Sequence, residues 1–153
     1  MDLIAQEELR RLKYRYLRAL DLKLWDEFAD TLTPDATADY GDRLSFSGRD
    51  EIVSYMSRAV GPDIITVHHC HHPELEVDGD RATGRWALDD TVIITEHRTV
   101  LRGAAFYEDR YLRENGAWRI QHTGYIRTYE AMFSLKDVPS FRLTANRWAG
   151  PAS

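Results

Sequence analysis

An α+β fold follows from two features of the 153-residue sequence. Its first 60 residues carry apolar side chains at helical spacing. From residue 64 onward, four long segments rich in β-branched and aromatic residues alternate with turn signals. Helices that precede a strand meander cover one face of its sheet, so the expected architecture is N-terminal helices packed on a curved antiparallel sheet.

Each element has a local reason. Leu9, Leu12, Tyr16 and Leu20 recur among Glu, Arg and Lys, which makes residues 3–20 an amphipathic helix with Asp21 at its end. A second short helix would bury Leu24 or Trp25, Phe28 and Leu32. The segment TPDA (33–36) stops it, because proline disfavours helical geometry in the residue before it. ATADY reads as a short strand ending at Tyr40, and GDRLSFSGRDE turns the chain. Ser47, followed three residues later by Asp50, resembles a capping box opening a helix over residues 49–60, which Gly61-Pro62 closes. The strands are IITVHHCHHPELEV, RATGRWALDDTVIITEH, TVLRGAAFYEDRYLRE and AWRIQHTGYIRTYE. Asp78-Gly79 and Asn115-Gly116 supply the positive φ angles that tight hairpins require. Residues 131–153 form a tail without clear period, placed to close a cavity or reach a neighbouring subunit.

The chain is expected to be one domain, residues 1–153, with its core over about residues 3–130. A net charge of −5 without a Lys/Arg block offers no basis for nucleic-acid binding and little for an anionic membrane. The single cysteine, Cys70, excludes an internal disulfide framework and any zinc site built from several thiolates. No stretch reads as a signal peptide or a bilayer span, so a soluble cytoplasmic protein acting on small molecules is expected.

Four of the six histidines crowd into HHCHHP (68–73). Strand alternation places Thr66, His68, Cys70 and His72 on one face and Val67, His69, His71 and Leu75 on the other, so the four imidazoles cannot share one centre. Neither His97 nor His122 supplies an evident third ligand, and no metal is expected. Asp90 lies in phase with the apolar face of Ala82, Gly84, Trp86, Leu88, Val92 and Ile94. It therefore needs a partner or a wet cavity, unless a bulge at Asp89-Asp90 turns it to solvent. Asp21 is equally suited to capping the second helix, and Tyr16 and Tyr40 to serving as core aromatics.

Together these residues resemble a family pattern. The order is Tyr16-x4-Asp21, LWDEFADTLTPDATADY ending at Tyr40, SGRDEIVSYM, TVHHCHHPELEVDGDRATGRWAL and YEDRYLRENGAWRI. It resembles the SnoaL-like branch of the nuclear-transport-factor-2-like superfamily over roughly residues 5–130. Within that branch it is similar to bile acid 7α-dehydratases, scytalone dehydratase and hexachlorocyclohexane dehydrochlorinases.

The resemblance implies a cone-shaped α+β barrel around a deep pocket, with catalytic candidates Asp21, His68, Tyr16, Tyr40 and Asp90. Asp21 would orient a neutral His68 acting as base, and the tyrosine hydroxyls would stabilise enolate charge. Asp89 is the alternative to Asp90. Trp86, Leu88, Phe106, Ile120, His122 and His72 are the substrate-binding candidates.

The implied activity is a cofactor-independent lyase, a dehydratase of a hydrophobic cyclic hydroxy ketone of steroid, terpenoid or polyketide type. An isomerase, a polyketide cyclase and a noncatalytic ligand-binding or assembly subunit are the alternatives. A homo-oligomer, trimer or dimer, formed through the convex sheet face is also implied.

Overall fold

The computed structural model describes residues 2–150. Helix α1 spans Leu3–Asp21, and the Asp2 carboxylate caps it by accepting from the Ala5 N–H at 3.0 Å. Its apolar stripe is buried, with Leu9, Tyr16 and Leu20 turned into the core. Helix α2 is short, Trp25–Asp30, and α3 spans Arg49–Ala59. Strands β1 (Leu32–Tyr40) and β2 (Leu44–Ser47) lie between them. Then follow β3 (Ile64–Asp78), β4 (Arg81–Ile94), β5 (Thr99–Glu114) and β6 (Ala117–Ser134).

The six strands form one sheet in the order β2-β1-β6-β5-β4-β3. All neighbours are antiparallel except β1 and β6, which run parallel. The sheet curls without closing, and α1 packs against β3 and β6 across the open side. The cone is thus half sheet and half helix.

Local details differ from the expectations. Leu32 opens β1 and is fully buried there, so the helix ends before TPDA, which is itself part of the strand. Pro34, which has no N–H to give a ladder, falls where the β1–β6 register slips between Leu32 and Thr37. LSFS is a strand, pairing antiparallel with β1, where only a turn was expected. The capping box is incomplete: the N-cap of α3 is Gly48 at φ +104°. The side chain that bonds the incoming chain is Glu51, which accepts from the Ser47 N–H at 2.9 Å. His97 lies in the turn between β4 and β5.

Three bulges set which side chains face the cone. In β3 the register shifts between His71 and Glu74, at His72-Pro73. In β6 it shifts at Gln121 and at Thr128, each an extra residue with no opposite number on β5. Each bulge leaves two successive side chains on one face, so the strict alternation expected from sequence fails beyond it. After β6 a short 3₁₀ turn, Leu135–Asp137, buries Leu135, and the tail returns to place Trp148 against the Lys23 ammonium, 4.2 Å from the ring centroid.

Candidate active site

Asp21 is the last residue of α1, which aims its carboxylate across the cone at β3. One oxygen, Oδ1, accepts from the Thr66 hydroxyl at 2.9 Å and lies 2.6 Å from His68 Nδ1. The other, Oδ2, accepts from the His68 backbone N–H at 2.8 Å. Asp21 does not cap α2: the N-cap there is Leu24, with no side-chain bond. An ionised carboxylate can only accept, so this arrangement selects the tautomer with the proton on Nδ1 and a lone pair on Nε2. The two side chains are largely buried, at 14% and 19% exposed.

Asp90 sits directly opposite His68 in the β3–β4 ladder and is 6% exposed. It faces the cone as the apolar phase predicted, and its charge is met by Arg127 from β6. Arg127 donates from Nη1 at 2.5 Å and from Nη2 at 3.0 Å, a two-pronged grip suited to a planar guanidinium. The guanidinium crosses β5 above Gly103, where any Cβ would collide with it. Its Nε also lies 3.3 Å from Glu130. Asp89 points to the opposite side, where His71 Nε2 is 2.8 Å and His69 Nδ1 3.5 Å from its carboxylate. Asp90 is therefore the inward member of the pair.

Tyr16 and Tyr40 meet hydroxyl to hydroxyl at 2.8 Å. Tyr16 is fully buried and Tyr40 almost so. Burial drives both phenols well above their ordinary range, so each remains a proton donor at any physiological pH. Beneath them lies an ion pair that the sequence reading missed. Lys13 Nζ stands 2.8 Å from Asp109 Oδ2 with both side chains wholly inaccessible, and 3.4 Å from the Tyr107 ring centroid. The Tyr111 hydroxyl donates to Asp109 at 2.8 Å and accepts from the Trp86 indole N–H at 2.9 Å. Burial lowers the Lys13 pKa despite the opposing pull of Asp109. These buried side chains occupy the part of the cone lined by α1, β4 and β5 below the level of His68, Asp90 and Arg127.

The substrate-binding candidates divide. Trp86, Leu88 and Ile120 face inward and are buried. Phe106, His72 and His122 do not face the cone. Phe106 occupies the outer phase of β5 and is 47% exposed. The bulge at His72-Pro73 puts His72, at φ +29°, outside, where it lines a recess of about 470 Å³ with Phe106 and Arg85. The same bulge turns Leu75 inward, contrary to simple alternation. The extra residue Gln121 turns His122 outward, where Nδ1 lies 2.7 Å from the Thr37 hydroxyl. Conversely, Val92 and Leu101 continue the inward face beyond Asp90 and Gly103 as an apolar wall. Among the described residues, no group of three or more His, Cys, Asp or Glu side chains is arranged to hold a metal ion.

An open curled sheet closed by N-terminal helices over a polar cluster is the cone fold of the nuclear-transport-factor-2-like proteins. A family model described as a SnoaL-like domain matches residues 1–124, and the chain belongs to that family. It is 29% identical over 115 residues to the uncharacterized protein Rv2910c of Mycobacterium tuberculosis, covering 74% of this chain and 78% of that one.

Among solved structures, a type 2 hexachlorocyclohexane dehydrochlorinase, LinA, superposes with a TM-score of 0.79 at 19% identity, over 86% of this chain and 90% of that one. A protein of Novosphingobium aromaticivorans assigned as a scytalone dehydratase gives a TM-score of 0.79 at 18% identity, over 99% and 97% of the two chains. At these identities the structures share the fold.

Proposed function

We propose that this protein is a cofactor-independent lyase, a dehydratase acting on a neutral, hydrophobic, cyclic hydroxy ketone. The observation that carries the reading is the Asp21–His68 pair, bonded at 2.6 Å through Nδ1, which leaves Nε2 as the free basic nitrogen. His68 takes a proton from the carbon beside the substrate carbonyl, and Asp21 stabilises the imidazolium that results. The electron pair moves into the carbonyl as an enolate. It returns to form a carbon–carbon double bond as the β-hydroxyl leaves, and that hydroxyl takes the proton from the imidazolium and departs as water. No external reductant, oxidant or metal is needed for this balance.

Tyr40 is the enolate donor in this reading. Tyr16 is the more deeply buried of the pair, so it acts as a positioning residue: by donating to Tyr40 it frees the Tyr40 proton for the substrate oxygen. Arg127, held by Asp90 opposite His68 in the β3–β4 ladder, orients the substrate oxygens in this reading. Val92 and Leu101 supply the apolar wall against which a ring system packs.

The test is turnover of a panel of cyclic β-hydroxy ketones, followed by appearance of the conjugated enone and by product mass. Loss of the mass of one water supports dehydration, and an unchanged mass with a migrated double bond would point to isomerisation instead. Wild-type turnover that persists in both His68→Ala and Asp21→Asn would rule out the pair.

A further inference from the structure

The outer side of the sheet carries a second cluster of titratable and hydroxyl side chains, separate from the cone. Thr37 and Asp39 occupy the outward phase of β1. His122 on β6 pairs with Thr37 across the parallel junction of these strands, and the extra residue Gln121 presents its ring on this side. Bulges re-aim side chains in this way and are frequent beside active sites. The next residue in the same phase is Gly124, where a Cβ would stand 3.2 Å from His122 Nε2, so glycine leaves room for the ring to reach from Thr37 to Asp39. Nδ1 lies 2.7 Å from the Thr37 hydroxyl and Nε2 3.7 Å from Asp39 Oδ2. The Ser45 hydroxyl on β2 donates to the other Asp39 oxygen at 2.7 Å and fixes that carboxylate. The imidazole is 15% exposed.

A hydroxyl bonded to a base that a third group orients is the arrangement that activates a weak nucleophile, and it is recognised by geometry, whatever the chain order. A carboxylate beside Nε2 favours the tautomer with the proton there, which leaves the Nδ1 lone pair to accept from Thr37. Burial and the Arg110 charge hold this imidazole below its ordinary value of 6.5, so it is neutral at about pH 7. Arg110 is exposed and stands opposite His122 on β5, a cation adjacent to the cluster that can meet an oxyanion. A recess of about 390 Å³ beside His122 is lined by Thr83, Arg85, Glu108 and Arg110, and charges of both signs suit a small polar ester better than a lipid. We propose that Thr37, His122 and Asp39 form a second catalytic site for acyl transfer from such an ester, with Thr37 the nucleophile, His122 the base and Asp39 a positioning residue. The Thr37 oxygen bonds to the ester carbon while its proton passes to Nδ1. Collapse of the tetrahedral adduct breaks the bond to the leaving oxygen, which departs as an alcohol with that proton. Water, deprotonated at the same nitrogen, then attacks the acyl-threonine, releases the acid and restores the hydroxyl. This activity is independent of the lyase reaction proposed for the cone.

The probe is p-nitrophenyl acetate, with nitrophenolate release followed by absorbance and the acetylated residue of acid-quenched protein mapped by peptide mass spectrometry. Wild type should carry an acetyl group on Thr37. Thr37→Val, which keeps the side-chain shape, should lose that label, and His122→Gln should slow its formation by about 10²-fold or more. The wild-type rate should rise with pH and level off with an apparent pKa below 6.5, because the neutral imidazole is the active form. Asp39→Asn should move that plateau to lower pH, since the carboxylate favours the imidazolium, and an unmoved profile removes Asp39 from the site. Circular dichroism and thermal melts establish that each variant is folded. Acetyl groups only on lysines or on His122, a Thr37 label that forms at the wild-type rate in His122→Gln, or no label at all overturns the proposal.

Discussion

His68 and Asp90 stand opposite each other in adjacent strands, yet each is bonded to a different partner: His68 to Asp21 on α1, and Asp90 to Arg127 on β6. Two charge-bearing pairs therefore converge on one level of the cone from opposite sides. One joins an imidazole to a carboxylate through Nδ1. The other is a two-pronged ion pair between a carboxylate and a guanidinium.

If His68 is the base, His68→Ala should lower kcat by about 10²–10⁴-fold, the usual worth of a positioned general base. Asp21→Asn should fall in the same range while leaving His68 in place, because the amide can hold the imidazole in the wrong tautomer. Steady-state kinetics with thermal melts alongside would separate lost chemistry from lost structure.

Removing Arg127 alone strands a buried carboxylate. Arg127→Met should destabilise the fold by about 2–3 kcal/mol, below the usual 3–5 for a fully buried pair because the guanidinium is partly exposed. Arg127→Met/Asp90→Asn should recover part of that loss. Gly103→Ala should displace the guanidinium and give a loss in the same direction. Urea unfolding curves measure all three.

The floor pair offers a sharper contrast. Lys13→Met leaves the Asp109 carboxyl buried without its ammonium partner, and should cost about 3–5 kcal/mol. Lys13→Met/Asp109→Leu, apolar on both sides, should regain most of it. If the double variant is no more stable than Lys13→Met, the pair is not an isolated charge couple, and Tyr111 and Trp86 carry the cost through their bonds to Asp109.

Acid should weaken the fold in part through His122. Burial, reinforced by the nearby Arg110 charge, holds this imidazole below its ordinary value of 6.5 in the folded state. As pH falls through that ordinary value the unfolded chain takes up the proton first. The stability contribution is therefore complete above about pH 7.5, declines through the ordinary value and is lost once the folded-state pKa is passed. Melting temperatures taken between pH 8 and 5 should fall less steeply for His122→Asn than for wild type.

Much of this architecture was legible in the residues. Period-3.6 spacing located α1 and the inward side of Tyr16, and period-2 spacing placed Asp90, Trp86 and Leu88 inside. The failures have one main cause: alternation counts residues, and a bulge adds one without announcing itself. That is why His72, His122 and Leu75 were assigned to the wrong face. Phe106 is different, since it was chosen for its apolar character although its phase on β5 already pointed outward. Arg127 is not among the candidates drawn from the sequence, because its pairing with Asp90 spans three strands. Lys13 was the most recoverable omission. It lies on the same helical stripe as Leu9, Tyr16 and Leu20, and a lysine there implies a buried acid elsewhere.

The bulges also determine how the gene can change length. At His72, Gln121 and Thr128 two neighbouring side chains already share a face, so losing one codon there straightens the strand and leaves every other residue on its own side. A codon lost from the regular part of β6 would instead turn the remainder of the strand inside out. Single-residue deletion scanning should therefore find narrow islands of tolerance within this sheet, centred on its irregularities and absent from its most regular pairings.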